Sequence, residues 1–514
     1  MNGAQSLLKT FVDAGVEVCF TNPGTSEMHF VAALDTQDAM RAILGLFEGV
    51  VTGAADGYAR MAGKPACTLL HLGPGLANGL ANLHNARRAL SPIVNVVGEH
   101  ATFHRHLDAP LTSDIEGFAR PVSGWMTVSE SANSVATDGA RAVQAAMGPP
   151  GQIATLILPA DTAWSEPAEP VGALPAAQRE SVDAANIDAA AKALASGERC
   201  TFLLNGAGVS EAGQRLVSRI ADHCGASILG DTFIARIPGG AGRTPVPRLP
   251  YFAEQAEEAL AGTRHLILVD TKAPVSFFAY PGRASELTPD GARAVQLSLP
   301  GQDTIAALEA LAEAVGATGQ APVVSERVQP ALPTGELSPT SIAQALGALL
   351  PDNAVLVNEA ATSGFAMSAI LANSAPHDML DLTGGAIGMG LPVATGAAIA
   401  VPDRRVVALQ ADGSGMYTLQ ALWTMAREQL DVTTILFANR KYAILQVEFM
   451  RVGAHNPGRK AMDMLELSRP DLEWVSLAKG MGVPALQVRD AESFNAALAE
   501  SFATPGPFLI EAVL

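Results

Sequence analysis

Two oxygen-bearing side chains follow predicted strands in the last third of the chain. Asp412 opens an Asp-Gly-Ser-Gly turn after the apolar run Val406–Gln410, and Asn439 follows the apolar run Val432–Ala438, 27 residues later. The carboxyl ends of parallel strands share one edge of a sheet, where a carboxylate and an amide oxygen would meet. Oxygen ligands suit Mg²⁺, and the glycines would let the backbone approach a diphosphate. The pair predicts a metal and phosphate site, whereas either residue alone is more often an ordinary turn or loop residue.

A glutamate in an apolar helical segment is the second candidate. Glu48 lies in Leu46–Arg60, with Leu44, Phe47 and Val51 as neighbours at helix-face spacing. A carboxyl group that is buried away from water either forms a hydrogen bond with a buried partner or takes part in proton transfer. This segment alone leaves the structural and the catalytic interpretation equally open.

Short β-branched runs alternate with amphipathic segments along the chain, which indicates parallel sheets with helices on both faces. Two Pro-rich stretches, Ser165–Gln178 and Ala321–Pro339, have no usable periodicity and are typical of linkers. We therefore predict an α/β fold of three consecutive doubly wound parallel-sheet domains, at 1–165, 186–320 and 339–514. The strands that we predict are Val16–Phe20, Thr68–His71, Ile93–Val97, Thr155–Leu158, Thr201–Leu204, His265–Val269, Val295–Leu299, Val355–Asn358, Val406–Gln410, Val432–Ala438 and Phe508–Val513.

The composition excludes several classes of partner. The 514 residues carry 33 basic and 51 acidic side chains, a net charge of −18 that argues against nucleic-acid and anionic-membrane partners. Four cysteines without paired spacing, and an N-terminus that reads as an amphipathic helix, favour a reducing cytoplasm. The nearly uncharged stretch Gly384–Val401 is interrupted by glycines and Pro392, so we interpret it as packed backbone and not as a membrane span.

The segment from Asp412 to Asn439 resembles the cofactor motif of thiamine-diphosphate enzymes. That motif opens Gly-Asp-Gly and closes Asn-Asn, and this chain has Ala411-Asp412-Gly413 and Ala438-Asn439. Both departures spare the oxygen ligands. The resemblance implies thiamine diphosphate and Mg²⁺ as cofactors. It assigns Asp412, Asn439 and the backbone carbonyl of Lys441 to the metal, and Gly413, Ser414 and Gly415 to the diphosphate.

The same resemblance gives roles to residues outside the motif. Glu48 would lie against N1′ of the aminopyrimidine, so that the 4′-amino group can deprotonate C2 of the thiazolium. The carbonyl of Gly385 would receive the 4′-amino group, Ile387 would be the apolar wedge under the cofactor, and Glu359 matches a further position of the cleft. The three domains would be the pyrimidine-binding, central and pyrophosphate-binding domains of this family.

Within the family, the first domain is most similar to benzoylformate decarboxylase. The shared segments are Phe20–Phe30, Leu46–Arg60, Leu69–Ala86 and Pro110–Asp114. They put Thr25 in the place of a catalytic serine and His71 in that of a catalytic histidine. A lone strand-end histidine is more often structural, but the Gly73-Pro74-Gly75 that follows would open the backbone to a ligand. The resemblance implies a substrate pocket that includes Pro110, Leu111, Phe278 and Leu445.

The implied activity is decarboxylation of a 2-oxo acid through a carbanion or enamine, with carboligation to an aldehyde acceptor. Acetolactate synthases carry Phe-Gln where this chain has Pro110-Leu111, which makes the site more apolar and favours a bulky apolar substrate. Benzoylformate decarboxylase carries a second histidine where this chain has Phe278, which cannot transfer a proton. Slow protonation would favour carboligation, unless Ser276 or Tyr280 serves instead.

Two alternative functions remain. One is an acetolactate synthase that converts pyruvate to 2-acetolactate. The other is a non-catalytic regulatory protein with the cofactor fold, against which the retention of Glu48 argues. The Gly206 and Gly208 pair in the central domain opens a dinucleotide fingerprint that Glu211 interrupts, and we expect no nucleotide there. The family builds its site from Glu48 of one chain and Asp412 and Asn439 of another, which implies a homodimer or homotetramer.

Overall fold

Three sheets flanked by helices follow one another along the chain. The structure is a computed structural model that describes residues 1–514. The first sheet has six parallel strands in the order β2-β1-β3-β4-β6-β5. Its strands are β1 Val18–Asn22, β2 Arg41–Leu44, β3 Ala66–Leu70, β4 Ile93–Glu99, β5 Trp125–Val128 and β6 Ile153–Pro159. Its helices are α1 Gly3–Asp13, α2 Met28–Leu34, α3 Glu48–Ala62, α4 Leu72–Arg88, α5 Ile115–Ala119, α6 Ala132–Met147 and α7 Ala160–Trp164.

The second sheet has four parallel strands in the order β11-β10-β7-β8. The strands of the central segment are β7 Cys200–Leu204, β8 Ser227–Gly230, β9 Ile237–Gly239, β10 His265–Val269 and β11 Arg293–Ser298. Its helices are α8 Ala184–Ala195, α9 Glu211–Cys224, α10 Ala253–Ala259 and α11 Thr304–Ala314. β9 does not join this sheet.

The third sheet has seven strands in the order β16-β17-β15-β14-β12-β13-β9, and only β9 is antiparallel to its neighbour. Its further strands are β12 Ala354–Glu359, β13 His377–Asp381, β14 Val406–Ala411, β15 Val432–Ala438, β16 Ala485–Val488 and β17 Phe508–Val513. Its helices are α12 Pro339–Leu349, α13 Met367–Ile370, α14 Gly390–Ala400, α15 Asp412–Gly415, α16 Ala421–Arg427, α17 Ala443–Arg451, α18 Arg459–Asp463, α19 Trp474–Gly480 and α20 Ala491–Ala503.

Helices α3 and α14 pack on each other and join the first unit to the last. Small residues allow the two backbones to touch. An ideal Cβ at Gly396 would lie 1.8 Å from the carbonyl oxygen of Ala54, and one at Gly57 would lie 2.1 Å from that of Val393. Neither position can take a side chain without moving a helix. This contact explains why Gly384–Val401 is apolar, and no helix of the structure combines the length and apolar character that a membrane crossing requires.

The expected α/β class and the three successive parallel-dominated sheets are confirmed. Each predicted strand is present, with ends that differ by at most two residues. The Pro-rich stretch Ser165–Gln178 lacks helices and regular strands, and so does Ala321–Pro339 up to its last residue, where α12 begins. Two details differ. β9 carries the central segment into the third sheet, and the Asp-Gly-Ser-Gly turn is one turn of helix, α15, followed by the longer α16. The domain bounds themselves stay a prediction.

Candidate active site

Glu48 is the first residue of α3, directly after Phe47, in the short connection that follows β2. Only 8% of the residue is exposed. A single protein group donates to its carboxyl group, namely Nδ2 of Asn78, which lies 3.0 Å from Oε2. An ideal Cβ at Gly75 would lie 3.4 Å from Oε1, so the glycine leaves that oxygen room. A buried carboxyl group with one donor retains acceptor capacity for a further partner.

His71 directly follows β3, and the next residue, Leu72, has a φ of 52°, which is unusual for a residue with a side chain. Nδ1 of His71 lies 2.8 Å from Oε2 of Glu27, a carboxyl group that is buried. Because a carboxylate only accepts, the imidazole donates from Nδ1 and Nε2 is left for other work. An ideal Cβ at Gly24 would overlap the ring, which fixes glycine there.

Thr25, expected at the place of a catalytic serine, is exposed and begins the short 3₁₀ turn Thr25–Glu27. No hydrogen bond joins it to His71. The neighbouring Ser26 is nearer to the imidazole, since its Oγ lies 3.3 Å from Nδ1 of His71 and donates to Oε1 of Glu27 at 2.6 Å. Sequence reasoning missed Glu27 and Ser26, because nothing in the local pattern shows that this turn meets the end of β3.

The predicted metal ligands lie at the carboxyl ends of adjacent strands. β14 and β15 pair in register up to Ala411 and Phe437, which brings Asp412 and Asn439 to the same edge. Oδ1 of Asp412 accepts from the N–H of Gly413 at 2.8 Å, and Oδ2 accepts from that of Arg440 at 2.6 Å. Burial raises the pKa of Asp412, against these two bonds. A cation bound here would offset the free-energy cost of burying this carboxylate, because it favours the charged form.

The loop after β15 is held in a strained form. Arg440 has a φ of 58°, and Oδ1 of Asn439 accepts from the N–H of Lys441 at 3.1 Å. Strain of this kind collects at functional sites, and Leu72 beside His71 shows it too. The donor set of a carboxylate, an amide oxygen and the Lys441 carbonyl contains only oxygens, which fits Mg²⁺.

The glycines of the Asp412 turn also serve packing. An ideal Cβ at Gly413 would lie 2.5 Å from the ring of Tyr442, and one at Gly415 would lie 2.8 Å from that of Trp474. The hydroxyl of Ser414 accepts from Nε2 of Gln410 at 2.6 Å. The turn is therefore compact and rigid, as a cradle for a diphosphate has to be.

Glu359 lies at the end of β12, and both of its carboxyl oxygens form hydrogen bonds within the chain. Its oxygens accept from the N–H groups of Gly388, Met389 and Gly390, which lead into α14, and from Nε2 of Gln410. Burial raises the pKa of this carboxyl group, and the four bonds oppose that shift. Glu359 thus holds the N-terminus of α14 and presents no free oxygen to a cleft.

Glu359 fixes the loop that contains Gly385 and the half-buried Ile387. Gly385 has a φ of 76°, where glycine is favoured, and an ideal Cβ there would lie 2.8 Å from the ring of Phe277. The side chain of Asn85 donates a hydrogen bond to the carbonyl of Ala386 and accepts one from its N–H. The carbonyl of Gly385 is therefore set by rigid surroundings.

The four predicted pocket residues lie on different units. Pro110 and Leu111 are exposed in the loop before α5, while Phe278 and Leu445 are about half-exposed on the central segment and on α17. Phe278 packs on Phe277, with 4.7 Å between ring centroids. Phe278 therefore belongs to the surroundings of Gly385.

Models of known families cover both ends of the chain. One, described as the N-terminal TPP binding domain of thiamine pyrophosphate enzymes, matches residues 1–118, and its C-terminal counterpart matches residues 360–512. The chain belongs to the thiamine pyrophosphate enzyme family. A putative acetolactate synthase large subunit of Mycobacterium tuberculosis is 51% identical over 100% of this chain and 99% of its own length. Benzoylformate decarboxylase of Pseudomonas aeruginosa is 30% identical over 97% and 96%.

Solved structures agree on the fold. A thiamine diphosphate-dependent 4-hydroxybenzoylformate decarboxylase of Rhodococcus jostii superposes with a TM-score of 0.86 at 24% identity, covering 99% of this chain and 98% of the other. Benzoylformate decarboxylase of Polynucleobacter necessarius gives a TM-score of 0.82 at 22% identity, covering 100% and 99%. The protein is a thiamine-diphosphate-dependent enzyme related to benzoylformate decarboxylase and acetolactate synthase, as expected, and the regulatory alternative is not supported.

Proposed function

We propose that this enzyme decarboxylates and ligates 2-oxo acids with a bulky apolar side chain, using Mg²⁺ with its thiamine diphosphate. The observation that carries the proposal is the aromatic surroundings of Gly385. The ring of Phe277 packs against this glycine, and Phe278 packs edge-to-face on Phe277. A substrate held next to the Gly385 carbonyl would meet an aromatic surface, which favours an apolar side chain over a methyl group.

The reaction breaks the bond between C1 and C2 of the oxo acid. CO₂ leaves, and the former carbonyl carbon takes up either a proton or the carbonyl carbon of an aldehyde. Thiamine diphosphate, when bound, supplies the electron sink for the charge left on that carbon. Glu48, which retains acceptor capacity, would hold and return the proton of the aminopyrimidine, and Asp412, Asn439 and the Lys441 carbonyl would hold Mg²⁺ on the diphosphate.

His71 is the best placed proton-transfer group on the N-terminal side. Glu27 holds its Nδ1, so Nε2 is available to the substrate. Phe278, which takes the place of a second histidine, has no proton to give. With one such group instead of two, protonation is slower and an aldehyde acceptor has more time to react, which favours carboligation.

A dimer is part of the proposal, because Glu48 and Asp412 share no hydrogen-bond partner within the chain. Exposed apolar side chains flank both half-sites and would be covered by a second copy. On the N-terminal unit they are Met28, Leu46, Leu111 and Phe118, and on the C-terminal unit they are Tyr417, Leu445, Val447 and Met450. A fully active monomer in light scattering at assay concentration would contradict the dimer.

Acetolactate synthesis is the second candidate function, favoured by the 51% identity to the mycobacterial relative described as a putative synthase subunit. A competition assay decides between the two. Pyruvate and an aromatic 2-oxo acid are supplied together with thiamine diphosphate and Mg²⁺, and the products are separated. We expect products of the aromatic acid to dominate. Acetolactate as the main product, with higher efficiency for pyruvate, would reverse the proposal.

The metal assignment has its own test. Asp412→Ala removes the only charged ligand of the proposed set, so calorimetry should show loss of thiamine-diphosphate binding in the presence of Mg²⁺. Asp403→Ala, in the exposed turn before β14, is the matched control and should bind normally. Normal binding by Asp412→Ala would contradict the assignment.

A further inference from the structure

A buried carboxylate outside the proposed machinery has an unused oxygen. Glu448 lies on α17, the helix that follows the metal-binding loop, and only 9% of the residue is exposed. Its Oε1 accepts from the hydroxyl of Tyr280 at 3.2 Å. Its Oε2 is buried and has no hydrogen-bond partner. Burying an acceptor in this state costs free energy, which a donor from a ligand would recover.

Two tyrosine hydroxyls surround Glu448. Burial raises the pKa of Tyr251, and the negative charge of Glu448 adds to that shift. Burial also raises the pKa of Tyr280, and the hydrogen bond of Tyr280 to Glu448 adds to that shift. Both phenols therefore stay protonated at neutral pH and can donate as well as accept. A neighbouring cation, Arg451, is already bound to Glu254 and lies over the ring of Phe252, at 3.9 Å from its centroid.

An aromatic cluster links this polar group to Gly385. We define the cluster as Phe233, Tyr251, Phe252, Phe277, Phe278 and Phe365. Phe277 packs against Gly385, and the ring of Tyr251 lies 5.2 Å from that of Phe277. Phe278 and Phe365 are more than half exposed. An aromatic side chain that follows this open surface away from Gly385 would bring its far end to the Tyr251, Tyr280 and Glu448 group.

We propose that Glu448, with Tyr251 and Tyr280, binds a hydroxyl group at the far end of an aromatic 2-oxo acid, and so selects hydroxylated over unsubstituted substrates. This inference rests on the proposed function, because it requires a 2-oxo acid beside Gly385. The apolar body of the substrate contacts the aromatic cluster, and its hydroxyl donates to Oε2 of Glu448. A site built to hydrogen-bond a substrate hydroxyl rejects the analogue that lacks it, because its buried polar groups are then left unpaired.

Matched substrates test the inference. Benzoylformate is compared with 4-hydroxybenzoylformate, and phenylpyruvate with 4-hydroxyphenylpyruvate, so that two side-chain lengths are sampled. We expect kcat/KM to favour the hydroxylated member of at least one pair by roughly 10- to 100-fold. Glu448→Leu should bring this ratio close to one by lowering the efficiency of the hydroxylated member alone. Tyr280→Phe should lower it in part, and Glu309→Leu, on the exposed side of α11, should leave it unchanged.

A stability measurement separates this role from a structural one. If the free oxygen of Glu448 waits for substrate, Glu448→Leu removes an unpaired buried acceptor and should leave the melting temperature unchanged or raise it. A lower melting temperature together with an unchanged substrate ratio would assign Glu448 to the fold and overturn the inference. Equal efficiency for both members of both pairs would overturn it alone. Turnover of none of the four acids would overturn the proposed function and this inference together.

Discussion

Helices α3 and α14 pack on each other, and a buried glutamate lies at or beside the N-terminus of each. Glu359, beside the N-terminus of α14, accepts four hydrogen bonds, three of them from the N–H groups of Gly388, Met389 and Gly390. Glu48, at the start of α3, accepts one, from Asn78. Both residues are more than nine-tenths buried. The difference lies in unused acceptors: Glu359 is satisfied by the fold, and Glu48 retains room for a partner from outside it.

The same substitution at both positions tests this comparison, and the largest effect is expected at Glu48. Glu48→Gln keeps the shape and the bond to Asn78 but cannot take up a proton. We expect hydrogen exchange at C2 of bound thiamine diphosphate to slow by about 1000-fold, measured by NMR after quenching. Cofactor affinity and melting temperature should change little. Exchange at the unmutated rate would mean that another group activates the cofactor.

Glu359→Gln should act on stability instead. The amide would turn its NH₂ group towards backbone N–H donors, so that at least one buried donor loses its acceptor. We expect a loss of about 2 kcal/mol in the free energy of unfolding, measured in urea. The rate of C2 exchange per bound cofactor should stay within a few-fold of the unmutated rate. If Glu359→Gln kept its stability but slowed C2 hydrogen exchange, Glu359 would have the role that we assign to Glu48.

The contact between the two helices provides a third test. Gly396→Ala would place a Cβ 1.8 Å from the carbonyl oxygen of Ala54, which forces α14 away from α3. Overpacking of this kind costs about 1–3 kcal/mol. Gly480→Ala, at the end of α19 with no atom within 4 Å of the added Cβ, is the control and should be nearly neutral. Equal stability of the two variants would show that the helices can separate freely.

Much of the fold could be predicted because apolar periodicity is local. The runs at 265–269, 432–438 and 508–513 match β10, β15 and β17 at both ends. β9 could not be predicted, since a three-residue strand with Pro238 at its centre has no period of its own. It forms because β13 offers an edge, and that edge comes from a part of the chain more than 130 residues away.

The candidate site divides in the same way. The positions of Asp412 and Asn439 could be predicted because each residue follows its strand directly. The register of β14 and β15 then brings the two residues to the same edge of the sheet. The Glu27 partner of His71, the use of Glu359 by α14 and the free oxygen of Glu448 could not, because each depends on which backbone or side chain arrives from elsewhere. Hydrogen-bond satisfaction is a tertiary property, and no motif records it.

β9 has a consequence for chain engineering. Ile237–Gly239 closes one edge of the third sheet, and Arg236, just before it, pairs with Asp378 of β13 at 3.0 Å. A fragment cut at the second Pro-rich stretch would expose β13 as an unpaired edge, which invites association with other chains. A chimera in which a relative supplies the central segment must therefore preserve this strand pair. Either the relative's segment contains a strand that pairs with β13 of this chain, or the exchange leaves residues 236–239 of this chain in place.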